Sequence, residues 1–140
     1  MVMEEDYPSA ARRHLSDARM LLAASRTDNA AYLAGYVAEC GVKAVMTLAA
    51  GFKVYLHLDQ LTARPLALAA DLSRSARRYP VDLDPDVESI RSGWKSVLRY
   101  ATTASVSRSQ AESLVSSAAA VFRKTIVALV LDGYMERMPA

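Results

Sequence analysis

The stretch NAAYLAGYVAECGVKAVMTLAAG, residues 29–51, decides the fold class. Its only charged residues are Glu39 and Lys43, and its apolar residues occupy almost every side of a helical projection. Such a helix is normally surrounded by other helices. Gly35 and Gly41 each cost about 1 kcal/mol relative to alanine in a helix interior. We therefore predict a buried central helix against which other segments pack closely at the two glycines.

The rest of the chain predicts further helices around this one. Apolar residues recur at helical spacing on both sides of it, and no segment shows the clean alternation of a strand. There is no internal repeat and no linker, so one all-α domain covers residues 1–140, with flexible tails at 1–7 and 136–140. Predicted caps are Asn29 for the central helix, and Ser107, or Ser109 with Glu112, for the last helix. The five predicted helices span residues 8–25, 30–50, 62–78, 86–98 and 107–131.

Composition narrows the functional classes. The chain has 17 basic and 15 acidic residues, a net charge of +2, which does not by itself indicate a nucleic-acid or membrane binder. The single cysteine, Cys40, lies in an apolar run and is predicted to be a small buried hydrophobe. No zinc-ligand spacing or cofactor motif is present. With an acidic N-terminus and two charges inside the longest apolar run, we expect a cytoplasmic protein that does not span a membrane.

Two groups of residues are candidates for binding. Glu39 and Lys43 stand four apart in the central helix, which predicts either an internal ion pair or part of a polar pocket for a nucleotide or RNA phosphate. Arg91, Lys95 and Arg99 recur at spacing four, which predicts a basic stripe on the fourth helix. Such a stripe is either a solvated face or a contact for the phosphates of RNA.

Several segments between residues 10 and 100 resemble the HEPN family. The most specific is residues 28–44, with the pattern Gly-Tyr-x-x-Glu-Cys-x-x-Lys-Ala from Gly35 to Ala44. Residues 10–22, which begin AARRHLSDA, resemble the family's opening helix, and HLDQL from His57 resembles the step before its third helix. Trp94 followed by Arg99-Tyr100 is similar to a tryptophan and an Arg-Tyr pair found late in many members.

The resemblance implies an up-and-down bundle of four to five helices, commonly a homodimer. HEPN proteins often act beside a minimal nucleotidyltransferase, in toxin–antitoxin or defence settings. Several branches are metal-independent ribonucleases with the signature arginine, four to six residues, histidine. In that chemistry a cation holds the scissile phosphate, and an imidazole carries out acid–base catalysis.

This chain lacks the ribonuclease signature, because neither His14 nor His57 follows an arginine at that spacing. Arg99-Tyr100 keeps the cation but has a phenol, whose pKa near about 10 makes it a poor base at neutral pH. We therefore predict a HEPN-like, nucleotide- or nucleic-acid-associated interaction module without cofactor or metal. Alternatives are a divergent ribonuclease toxin and a structural dimeric scaffold. The ribonuclease candidates are Arg99, Tyr100 and His57; the candidate ligand-binding residues are Glu39, Lys43, Arg91 and Lys95.

Overall fold

A computed structural model describes residues 3–51, 53, 57, 78–79 and 84–139, and this part of the chain is helical without a strand. The predicted all-α class is confirmed. The predicted third helix, residues 62–78, lies outside the described residues except for Arg78. The elements in chain order are α1 (Tyr7–Ala23), α2 (Thr27–Ala44), α3 (Pro85–Gly93), a 3₁₀-helix (Ser96–Tyr100), α4 (Arg108–Phe122) and α5 (Ala128–Leu131).

The helix α2 is the centre of the bundle, as its composition predicts. It packs against α1, α3, α4 and the 3₁₀-helix. From Ala34 to Met46 every residue except Tyr36 is buried. Both interior glycines lie at close approaches, Gly35 under the ring of Trp94 and Gly41 beside Thr125. The predicted close packing at these glycines is therefore confirmed.

Two π-helical turns continue the long helices. Val45–Ala49 extends α2 to Gly51, whose φ of +76° ends the helix as predicted. Arg123–Val127 joins α4 to α5. A π turn inserts one extra residue, so the buried face shifts from the positions that simple helical spacing indicates. Ile126 and Leu129 are buried as a result, whereas Leu131 is exposed.

The starts of α1 and α2 differ from the predictions, whereas Ser107 caps α4, as one of the two predicted alternatives has it. The Asp6 side chain caps α1, which begins within the predicted tail. Asn29 is not a cap, because α2 already begins at Thr27. Its neighbour Asp28 instead accepts hydrogen bonds from the backbone amides of Ala104 (2.6 Å) and Val106 (3.0 Å). These bonds lower the pKa of the Asp28 carboxyl and fasten the connection between the 3₁₀-helix and α4 to the start of α2.

The cap of α4 is Ser107. Its hydroxyl accepts a hydrogen bond from the Gln110 amide at 3.1 Å, and its own amide donates to Gln110 Oε1 at 2.9 Å. This capping box replaces the predicted pairing of Ser109 with Glu112. Glu112 instead accepts from Arg108 Nε at 2.8 Å on the helix surface.

The prediction of a basic stripe on the fourth helix is wrong. The helix α3 ends at Gly93, and Trp94 and Lys95 are extended, with ψ of 141° and 136°. Trp94 leaves the helix because its ring packs on Gly35 and its Nε1 donates to the Tyr32 carbonyl at 3.1 Å. Residues 91, 95 and 99 therefore do not share one helical face.

One described helix, the continuous 24 residues Arg108–Leu131, has the length and apolar composition needed to cross a membrane. The core helix of a soluble protein meets the same test. In the last third of this helix, Lys124 Nζ donates to Asp84 Oδ2 at 2.7 Å and to Asp86 Oδ2 at 2.9 Å. The Asp84 side chain also caps α3, so these contacts connect the start of α3 to the long helix.

Candidate functional site

Polar side chains form a stripe along one face of α2. Tyr32, Tyr36, Glu39 and Lys43 are separated by four, three and four residues, and this spacing aligns them on one side of a helix. Other parts of the chain bring His14, His57, Trp94 and Arg99 to the same side. The candidate site is built around this stripe.

Glu39 lies in the stripe one turn before Lys43 and is only 5% exposed. Its carboxylate is 3.5 Å from Lys43 Nζ, so the predicted ion pair is confirmed. The same carboxylate is 3.1 Å from His57 Nδ1. Lys43 is also buried, and its ammonium lies 5.7 Å from the ring centroid of Tyr7. The carboxylate thus holds one nitrogen of a partly exposed imidazole.

Tyr36 is the centre of a group of rings. Its ring centroid lies 5.9 Å from that of His14, 6.0 Å from that of His57, 5.3 Å from that of Trp94 and 5.1 Å from that of Tyr32. We call these five rings the aromatic cluster. The Tyr32 hydroxyl donates to the Tyr36 hydroxyl at 3.3 Å. Burial raises the pKa of Tyr36, so its phenol stays protonated at neutral pH.

His14 joins the aromatic cluster from α1. It is half-buried, and burial, reinforced by the charge of Arg13, lowers the pKa of its imidazole. At neutral pH the ring is therefore an uncharged hydrogen-bonding group. The sequence does not predict which residue His14 contacts. It does predict that His14 lies at the edge of the inner face of α1, because His14 is three residues after the buried Ala11 and next to Leu15.

Arg99 links the aromatic cluster to the surface. Its exposed guanidinium donates a hydrogen bond to the Tyr32 hydroxyl, and this bond raises the pKa of Arg99. The same guanidinium lies 4.9 Å from the ring centroid of Tyr100, which is 78% exposed. The structure therefore brings the ribonuclease candidates Arg99 and His57 to one cluster, while Tyr100 contacts that cluster through Arg99.

The four predicted ligand-binding residues do not form one pocket. Glu39 and Lys43 are a buried pair. Arg91 lies on α3, where its Nε donates to Glu88 at 2.8 Å. Lys95 lines a separate groove next to Tyr100.

Neither a metal nor a cysteine nucleophile emerges from this arrangement. Within the described ranges, no group of three or more histidine, cysteine, aspartate or glutamate residues is placed to hold a metal ion. Cys40 is buried, as predicted, and burial raises the pKa of its thiol to about 12. A thiol with this pKa is not ionised at neutral pH.

Comparison with models of known protein families, with curated proteins and with solved structures found no match to this chain.

Proposed function

We propose that this chain is a HEPN-like interaction module that binds RNA, with Arg99 as its main phosphate contact. The observation that carries this proposal is the position of Arg99. Its guanidinium is exposed, yet it is fixed by the Tyr32 hydroxyl and the Tyr100 ring at the edge of the aromatic cluster. A guanidinium held in this way loses little side-chain entropy when it binds a phosphate through two parallel hydrogen bonds.

The buried pair is compatible with phosphate binding at Arg99. Glu39 and Lys43 neutralise each other beneath the surface, so the carboxylate adds little repulsion toward a phosphate at Arg99. The uncharged ring of Tyr36 lies near this cation, and the uncharged ring of His14 lies behind it, against Tyr36. Such a surface suits a single-stranded backbone, which is bound by cations interspersed with aromatic rings.

The resemblance of residues 28–44 supports the remaining part of the proposal, a cytoplasmic homodimer that acts with a minimal nucleotidyltransferase-type partner in a toxin–antitoxin or defence setting. Light scattering and co-purification with a nucleotidyltransferase encoded by an adjacent gene test this part. A monomer that does not bind the neighbouring gene product would contradict it. A dimer that binds neither RNA nor the nucleotidyltransferase would favour a purely structural scaffold.

We expect Arg99→Ala to weaken binding to a fluorescein-labelled single-stranded RNA about tenfold at constant salt, because it removes one charged phosphate contact. The plot of log affinity against log salt concentration should become less steep by about one, the change that corresponds to one lost phosphate contact. Fluorescence anisotropy at several salt concentrations measures both quantities.

The matched control is Arg19→Ala. Arg19 is an exposed arginine of α1 that lies five residues after His14, about 140° around the helix from it. We expect its loss to have little effect on the affinity. If both variants bind equally and show the same salt slope, Arg99 is not the phosphate contact.

The second candidate function is a metal-independent ribonuclease, and the contact between Glu39 and His57 favours it. In this reaction the uncharged imidazole of His14, rather than that of His57, accepts the proton of a ribose 2′-hydroxyl as its oxygen attacks the phosphorus. The other imidazole gives a proton to the departing 5′-oxygen, and a 2′,3′-cyclic phosphate and a 5′-hydroxyl remain. Arg99 would hold the phosphate at the edge of the same cluster.

For the ribonuclease, we expect cleavage of total RNA in the presence of a metal chelator, reduced at least a hundredfold by His57→Ala. Removing an acid–base group typically costs this much or more. Gel electrophoresis of the RNA with time gives the rate. RNA left whole at high protein concentration would reject the enzyme and leave the binding proposal in place.

A further inference from the structure

A groove lies next to the aromatic cluster, on the surface that Tyr100 shares with α4. It encloses about 830 Å³ between the 3₁₀-helix, the end of α3 and the first turns of α4. Ligand sites for small molecules fall in the range of about 300–1,000 Å³. Because Arg99 contacts both Tyr32 and Tyr100, the groove begins where the proposed phosphate contact lies.

The groove exposes two large apolar side chains to water. Tyr100 is 78% exposed and Val97 is 66% exposed, although both belong to an ordered 3₁₀-helix that is fastened to the bundle through Leu98. One face of the Tyr100 ring contacts Arg99. An aromatic ring presented in this way is a platform on which a second planar group gains contact area when it displaces water.

The polar lining is rich in hydroxyl groups. Ser89, Ser105, Ser109 and Ser113 line the groove, together with Lys95 as its one cation, and none of the described residues that line it is a carboxylate. A hydroxyl both donates and accepts hydrogen bonds, so it adapts to the mixed donors and acceptors on the edge of a nucleobase. The rest of the lining is apolar and includes Val97, Leu98, Val106 and Leu114. Apolar walls with a few hydroxyl groups suit a nucleobase, whose faces are apolar and whose edge is polar.

We infer that this groove binds an unpaired nucleobase of an RNA strand, stacked on Tyr100, with the adjoining phosphates at Arg99 and Lys95. This inference rests on the proposed RNA binding and deepens it by specifying where a base of the strand is held. Stacking on an aromatic side chain tolerates any base, because every base has a π-face. The groove therefore selects for an unpaired base rather than for a sequence.

The test uses an RNA strand with 2-aminopurine at successive positions, and a duplex of the same sequence. We expect the full chain to quench the fluorescence of the single strand at one or two positions, because stacking on a tyrosine quenches this base analogue. Tyr100→Ala should remove the quenching and weaken binding of the single strand about tenfold. Tyr100→Phe, which keeps the aromatic ring, should retain both the quenching and the affinity for the single strand. Binding of the duplex should change less than twofold in either variant.

The side chain of Tyr100 is exposed, so both variants should keep the circular dichroism spectrum and melting temperature of the wild type. If RNA binding stays dependent on Arg99 while Tyr100→Ala changes neither affinity nor quenching, the groove is not the base site and the proposed function stands. If no RNA binds to the full chain, the proposed function itself fails, and this inference fails with it. A Tyr100→Ala variant that alters the oligomeric state but not RNA binding would assign the groove to a protein contact and overturn the inference.

Discussion

Gly35→Ala should lower the free energy of unfolding by about 3 kcal/mol, the upper end of the range for overpacking a core. A Cβ atom at this position would overlap ring atoms Cε2, Nε1 and Cδ2 of Trp94. The indole is fully buried and rigid, so it cannot move aside as the end of a flexible side chain would. Displacing it also strains the hydrogen bond from Trp94 Nε1 to the Tyr32 carbonyl. Urea unfolding followed by the fluorescence of this single tryptophan measures the loss.

Gly93→Ala is the matched control for that experiment. Gly93 is also helical, but a Cβ atom there meets no neighbour within 4 Å. Alanine should leave the stability unchanged or raise it slightly, because it has the higher helix propensity. In the double variant Gly35→Ala/Trp94→Leu, the smaller side chain should relieve part of the overlap, so the two changes should cost less together than the sum of the single changes. Circular dichroism follows the unfolding of the variants that lack Trp94. If Gly35→Ala were as stable as Gly93→Ala, the close contact with Trp94 would be wrong.

The position of Gly35 illustrates how far the sequence alone predicts this fold. A helix with charge at only Glu39 and Lys43 is buried wherever it lies, because only burial stabilises so many apolar positions. The same reasoning assigns Gly35 and Gly41 to close contacts. It cannot identify the contact, because that depends on which distant segment packs there. The partners proved to be Trp94 and Thr125.

The predicted basic stripe fails for a related reason. Helical spacing from residue 91 to residue 99 indicates one continuous helix. Burial of the Trp94 ring on Gly35, however, lowers the free energy of the folded chain more than one further turn of helix would. Local periodicity contains no information on this competition. Arg99 consequently turns toward Tyr32, and Lys95 lines a different surface.

The aromatic cluster was only partly accessible to sequence reasoning. The spacing of Tyr32 and Tyr36 predicts that they are neighbours on one helix face. The approach of His14 and His57 to Tyr36 is long-range, and no spacing rule connects two residues 43 positions apart. Arg99 and His57 belong to the segments that resemble the HEPN pattern, whereas His14 is linked to the cluster only by its contact with Tyr36.

Glu39→Gln should lower the free energy of unfolding by about 3 kcal/mol, since breaking a buried ion pair from one side leaves the other charge uncompensated. Glutamine keeps the size of the side chain, so the loss reports charge rather than volume. The ammonium of Lys43, 8% exposed, would then lie beside a neutral amide. Chemical unfolding at neutral pH measures the difference.

Glu112→Gln is the matched control, because Glu112 forms the same kind of i,i+4 contact, here with Arg108, but at the surface. Both of those side chains are more than half exposed, and such pairs typically contribute less than about 1 kcal/mol. Equal losses in Glu39→Gln and Glu112→Gln would mean that the Glu39 pair is not buried in solution.

The double variant Glu39→Gln/Lys43→Met separates a structural role of the buried pair from a role in binding. Removing both charges avoids the uncompensated ammonium, and replacing buried ion pairs in this way is often neutral for stability. If the pair only fixes the packing of α2, the double variant should fold and bind RNA with the affinity of the wild type, through Arg99. If binding is lost while stability returns, the carboxylate acts through His57, the imidazole that it holds at 3.1 Å. That result would place His57 in the RNA-binding surface beside Arg99, because a phosphate contact at Arg99 alone does not require an oriented imidazole. Cleavage of RNA by the wild type, and its loss in the double variant, would be needed to favour the ribonuclease.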